Sequence, residues 1–409
     1  MRSMSRVFTV VLLLASATAL LTARPATTVP LFAAKQGLQC QTCHFDPNGG
    51  GPRNEFGFGF AKNRHSLEPE TGEFADLTLT NRISETFPLY VGVNQRFMLL
   101  GSEESRGDGL DRLGFFNMEN SLHLTFQPHS KLTMVYSRDG FNEASRSRDA
   151  FGMITLSPQL YLKAGQFRIP FGLRMDDHTV ASRNGFLDFQ GQGRVLPFDP
   201  RTTNRGLELG GEHHSMFARA AWTEHAGDNS GPLGSGSKSQ TMTAKLGYTM
   251  PQYQGGVSFF DDWSDEDPGS FAERSRATRW GYYGMTHRGP FSLLAEVVAG
   301  TDELTAGDPM LPPVKVNSLG YFAELDYAPW RQWNFRLRYD RLELDRSSDQ
   351  LLREANSFTR MSIEGEYVPM PFAELRWTLR YLDPDRKDDG LGNEPPSETQ
   401  AYLQFHFSY

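Results

Sequence analysis

The sequence predicts an all-β fold, a transmembrane antiparallel β-barrel of about 16 strands, from three observations: segments alternate apolar and polar residues, short proline-marked turns recur at regular spacing, and beyond the first residues no apolar run is long enough for a spanning helix. Mean hydropathy is −0.49, low because barrel strands mix lipid-facing and lumen-facing residues. Aromatics make up 12% of the chain, with 30 Phe, 14 Tyr and 39 Gly, a composition suited to strands, interfacial girdles and turns. A secreted β-sandwich or β-solenoid is the alternative this composition leaves open.

Alternation is clearest in residues 333–340, where Trp333, Phe335, Leu337 and Tyr339 interleave with Asn334, Arg336, Arg338 and Asp340. Leu375, Trp377, Leu379 and Tyr381 alternate with Glu374, Arg376, Thr378 and Arg380, and Leu319, Tyr321, Ala323, Leu325 and Tyr327 with Gly320, Phe322, Glu324 and Asp326. An Arg facing lipid at mid-bilayer costs about 2–4 kcal/mol, so the charged rows must face the lumen. Arg336, Arg338, Arg376 and Arg380, with Glu324, Glu364, Glu366 and Glu374, are then expected to line a wet, mixed-charge interior.

Tight turns are expected at Pro88, Pro128, Pro158, near His213, and at Pro251, Pro290, Pro329 and Pro369. Proline has no amide to give to a ladder, so it fits turns and not strand interiors. Hydrophilic stretches at residues 101–111, 228–239, 262–276, 300–313 and 383–398 are expected to be the long loops of the opposite end. Counting from Leu89 gives 16 strands and leaves both barrel ends on the periplasmic side. Residues 74–86 would make an odd strand and are assigned, within residues 74–88, to a linker, with the barrel spanning 89–409. The last segment alternates Ala401, Leu403, Phe405, Phe407 and Tyr409 outward, and its aromatic end resembles the C-terminal signal of outer-membrane barrel proteins.

Ahead of the barrel, Arg2 and Arg6 precede an apolar run over residues 7–21 and small residues at Ala19 and Ala23, the layout of an export signal. Residues 1–23 are therefore expected to be removed, after Ala19 or Ala23. A net charge of −8 gives no basic footprint for nucleic acid.

The only cysteines, Cys40 and Cys43, fall in the run Cys40, Gln41, Thr42, Cys43, His44, the attachment motif for one covalent c-type haem. Two thiols three apart on a nascent helical turn reach the two vinyl groups of one porphyrin, and His44 then meets the iron as proximal ligand. A structural disulfide or a zinc site are the alternatives, though zinc needs two further ligands and no second cysteine pair supplies them. His65 is the candidate sixth iron ligand, with Met98, Met118 and His123 as rivals on early strands. Phe45, Phe56, Phe58 and Phe60 would shield the porphyrin edge or simply pack against the barrel.

Residues 34–44, followed by Phe56, Gly57, Phe60, Ala61 and Lys62, resemble the fused monohaem cytochrome and porin family of outer-membrane iron oxidases. Residues 162–172 resemble the strand before the constriction loop of phosphate-selective type porins, so the long connection that follows, carrying Arg174, Asp176, Asp177, His178, Arg183, Arg194 and Arg201, is expected to fold into the lumen or to lie on the surface. The first resemblance implies residues 24–73 as a monohaem segment plugging the barrel in the outer membrane, and electron transfer from an extracellular donor such as Fe(II) to a periplasmic c-type cytochrome. One departure stands out: residues 46–54 are more polar and glycine-rich than that family's apolar stretch. Two other functions are consistent with the residues, a passive diffusion porin whose haem segment hangs in the periplasm to dock a redox partner, and haem-based peroxide chemistry, for which no distal acid–base group is evident.

Overall fold

A computed structural model describes residues 38–84, 86–104, 112–140, 146–173, 182, 203–224, 240–263, 273–305, 314–346, 356–385 and 397–409. Among the described residues, two short helices, α1 (Cys40–Cys43) and α2 (Glu55–Lys62), precede sixteen strands that close on themselves. These are β1 (Leu89–Glu104), β2 (Arg112–His129), β3 (Leu132–Asp139), β4 (Arg146–Ser157), β5 (Leu160–Phe167), β6 (Asn204–His213), β7 (Met216–Glu224) and β8 (Gln240–Thr249). The second half comprises β9 (Tyr253–Trp263), β10 (Glu273–Arg288), β11 (Phe291–Thr305), β12 (Val314–Trp330), β13 (Trp333–Arg346), β14 (Asn356–Met370), β15 (Ala373–Asp385) and β16 (Glu398–Ser408). Each strand pairs antiparallel with its sequence neighbours, and β1 pairs with β16 to close the ring, so the only unpaired strand edges are local overhangs. Residues 63–84 and 86–88 contain no strand, as the even count requires.

The outward row carries Leu337, Ile363, Trp377, Leu379 and Leu403, all exposed, as a wall facing hydrocarbon must be. The inward row is buried and ionic. Arg336 donates to Asp326 at 3.1 Å and Glu366 at 2.8 Å, and Asp340 accepts from Arg338 at 3.1 Å and Arg360 at 3.0 Å. Such charges are tolerated because each is met by opposite charge across neighbouring strands. Leu379→Arg or Ile363→Arg places a guanidinium against lipid, at a cost of about 2–4 kcal/mol near mid-bilayer. Each is expected to reduce the heat-modifiable, assembled form on gels, whereas Thr378→Ser on the inward row should leave it at the wild-type level.

The long loops begin later than the charge pattern implies. Residues 101–104, 262–263, 273–276, 300–305 and 383–385 belong to strands, because inward polar side chains there are satisfied across the ladder. Asp262 is one case, fully buried and accepting from Thr241 at 2.5 Å. From the long connection after β5, the described residues enter the lumen: Gly172 donates to Ser258, Leu173 to Glu296, and Gly172 accepts from Lys245 at 2.6 Å. Phe171 packs edge-on to Phe260, and Leu173 joins Phe217, Tyr283, Met285, Leu294 and Phe322. Arg174, Asp176, Asp177, His178, Arg183, Arg194 and Arg201, like residues 1–37 with the export signal, lie outside the described residues.

Candidate functional site

α1 is a single turn that sets Cys40 and Cys43 three residues apart on one face, closed by the His44 amide donating to Cys40 O at 2.9 Å. His44 follows as the C-cap in extended conformation. The two thiols are not joined as a disulfide. Burial pushes the Cys43 thiol up to about 11. Among the described residues no cluster of three or more His, Cys, Asp or Glu side chains is arranged to hold a metal ion.

Two glycines shape the turn. A Cβ on Gly57 would lie 2.0 Å from Cys43 O, so only glycine lets α2 cross α1 this closely. Gly49 has φ +84° and would set its Cβ 3.1 Å from Cys40 Sγ, which leaves the sulfur its space. Asn54 caps α2 by accepting from the Gly57 amide at 2.9 Å, and its own amide donates to Cys43 O. The donor set of two thiols on one turn with an adjoining imidazole, on a glycine-relieved backbone, fits one covalent haem c.

The polar stretch after the motif supplies the contacts that seat it against the inner wall. Lys163 on β5, with no exposed surface, meets Asp46 at 3.1 Å and Glu208 on β6 at 3.0 Å. Asn48 donates to both Glu208 oxygens, at 2.9 and 2.8 Å, and accepts from Arg219 on β7 at 2.9 Å. Gln41 donates to Glu212, and Arg53 donates to Ser408 O at the end of β16 at 2.7 Å. Residues 46–54 are therefore polar because they face an ionic wall. The inward Lys163, alternating with Leu162 and Ala164, was the signal in the sequence for this network, but nothing local names its partners.

Of the four Phe residues, Phe45 packs on Tyr90 at 4.8 Å and Phe58 on Phe372 and Tyr409, which is packing against the barrel. Phe60 lies against His65, and Phe56 is exposed. His65 is buried, with φ +58° and its Nε2 facing Glu374 on β15 at 3.5 Å. Burial pushes its imidazolium pKa down, which favours the neutral ring that metals require. Met98 and His123 point inward on β1 and β2, where His123 shares a 2.8 Å hydrogen bond with Ser137. At the loop end of β9, Asp261 is paired with Arg276 on β10 at 3.0 Å.

A closed sheet apolar outside and ionic inside belongs to the membrane-spanning class, for which hydrocarbon permits no open edges, and such barrels reside in the outer membrane. The protein is an outer-membrane β-barrel of the porin fold. OmpT of Vibrio cholerae superposes with a TM-score of 0.54 at 9% identity, over 80% of this chain and 99% of that one. The outer membrane channel DcaP of Acinetobacter baumannii gives 0.55 at 13% identity, over 80% and 99%. The anion-selective porin from Comamonas acidovorans gives 0.54 at 9% identity, over 78% and 99%. At these identities the likeness is one of fold. No protein-family model matches the chain, and no curated protein does.

Proposed function

We propose that the barrel is a sheath holding a monohaem plug, residues 24–73, and that the protein transfers electrons from an extracellular donor, Fe(II) being one candidate, to a periplasmic c-type cytochrome. The observation that carries this is the seating of the residues directly after the attachment motif, Asp46 and Asn48, among Lys163, Glu208 and Arg219 on the inner wall. Cys40 and Cys43 would hold the porphyrin through thioethers, His44 would be its proximal ligand and His65 is the candidate for the sixth position. When bound, haem c supplies reversible one-electron exchange. The chain's own task is positional: the ionic anchors at Lys163, Glu208 and Arg219, and the Arg53 contact with Ser408, fix the segment to the inner wall near the tight-turn end of the barrel.

The likeness to porins and channels bears more directly on a second reading, a solute channel that carries a redox-partner docking segment. Liposome swelling separates the two. A plugged sheath should admit small sugars at a rate near that of protein-free vesicles, and swelling like that of an open porin would favour the channel.

A further inference from the structure

The seam between first and last strands is stepped. β16 ends its ladder with Ser408 opposite Asn94, and Tyr409 exchanges hydrogen bonds with Val93 at 2.8 Å each way. β1 begins earlier, at Leu89, so its first residues extend past the end of its partner. An overhang of this kind leaves backbone donors and acceptors at the barrel rim, a weak point in any closed sheet.

That edge is filled by the N-terminal segment. The Val91 amide donates to Asn81 O and the Ile83 amide to Leu89 O, both at 2.9 Å, and Arg82 bridges antiparallel to Tyr90. Residues 81–83 thus run where a longer β16 would run. The same segment is fastened to the end of β16 itself: Arg53 donates to Ser408 O at 2.7 Å and to its Oγ at 3.1 Å, and Tyr409 OH donates to Thr80 O at 2.8 Å. Asn81 ties the two parts together by donating to Arg53 O at 2.8 Å, and Tyr90 OH reaches Glu55 at 3.2 Å. Further round the ring, Arg331 in the turn between β12 and β13 donates to Asn63 O at 2.7 Å, Glu68 O at 2.8 Å and Pro69 O at 3.1 Å.

We propose that residues 53–83 are a closing strap for the barrel seam, which continues the edge that β16 leaves unfinished and is clasped by Arg331 at the turn between β12 and β13. The barrel reaches its full stability only when this segment has seated. The strap also ties the haem-attachment segment to closure of the wall, so the segment belongs to the finished barrel and is not a domain free to leave it. This rests on backbone and guanidinium contacts and stands apart from the redox reading.

The test is the unfolding midpoint of the full-length purified protein, read by heat-modifiability on gels. Arg53→Ala combined with Asn81→Ala should lower the midpoint, by on the order of 5 °C or more. Arg331→Ala should lower it too, and His213→Ala, at the exposed end of β6 away from the seam, should not. If the double variant fails to assemble, Arg53→Lys decides, since it keeps the charge but loses the fork to Ser408 and should show an intermediate midpoint. Midpoints equal to wild type in both Arg53→Lys and the double variant, or an equal fall in His213→Ala, would overturn the strap.

Discussion

Replacing Cys40 and Cys43 by serine should abolish covalent haem while leaving a barrel that still assembles. The two sulfurs are the only atoms in the chain able to form thioethers, and neither contributes a disulfide. The single helical turn, the Asn54 cap and the Gly57 crossing are backbone features that serine tolerates. Expressed with cytochrome c maturation machinery, the wild type should stain for haem peroxidase on a denaturing gel, and the double variant should show the same heat-modifiable band without stain. An unstained wild-type band would remove the haem from the account and leave the channel reading.

Removing Lys163 should loosen the stretch just after the attachment motif, Asp46 to Asn48, from the wall. Its ammonium is fully buried and sits between Asp46 and Glu208, with the Phe167 ring 4.5 Å away. Lys163→Met leaves two carboxylates buried without their cation, and breaking a buried pair in this way costs about 3–5 kcal/mol. The Arg53 and Arg331 contacts lie outside this network and remain, so the loosening is local. The expected result is faster proteolysis within residues 40–52. Adding Asp46→Asn and Glu208→Gln removes the stranded charges and should restore most of the protection. If Lys163→Met were as protected as wild type, the seating contacts would not be holding the segment.

Much of the wall was legible because its physics is local and has period two. Trp333 to Asp340 and Leu375 to Tyr381 state their facing residue by residue, and the prolines mark the turns. Loop onset was misread at Asp262 and its neighbours because a charged residue satisfied across the ladder looks the same, in one dimension, as one solvated in a loop. The placement of the thiol pair and His44 on one turn was legible for the same local reason, since it depends on spacing within that turn. The anchoring of the segment was not: Asp46 meets Lys163 from 117 residues away and Arg53 meets Ser408 from 355 away, and no periodicity records such pairings. The Asp46 to Asn54 stretch registered only as a polar departure, and its meaning came from the ionic wall it touches. His65 carried no sequence signal for Glu374, because the carboxylate reaches it only when β15 is placed in the ring.

The central claim is that one haem segment inside the barrel serves both faces of the membrane. The most direct measurement is the visible spectrum of oxidised protein in proteoliposomes of known orientation, with Fe(II) or another impermeant reductant added to the extracellular face alone. The account predicts reduction of the haem bands within the time of mixing, and reoxidation when an oxidised c-type cytochrome is present on the periplasmic face. Reduction only by reductant placed on the periplasmic face would contradict it and assign the chain to the channel with a periplasm-facing haem segment.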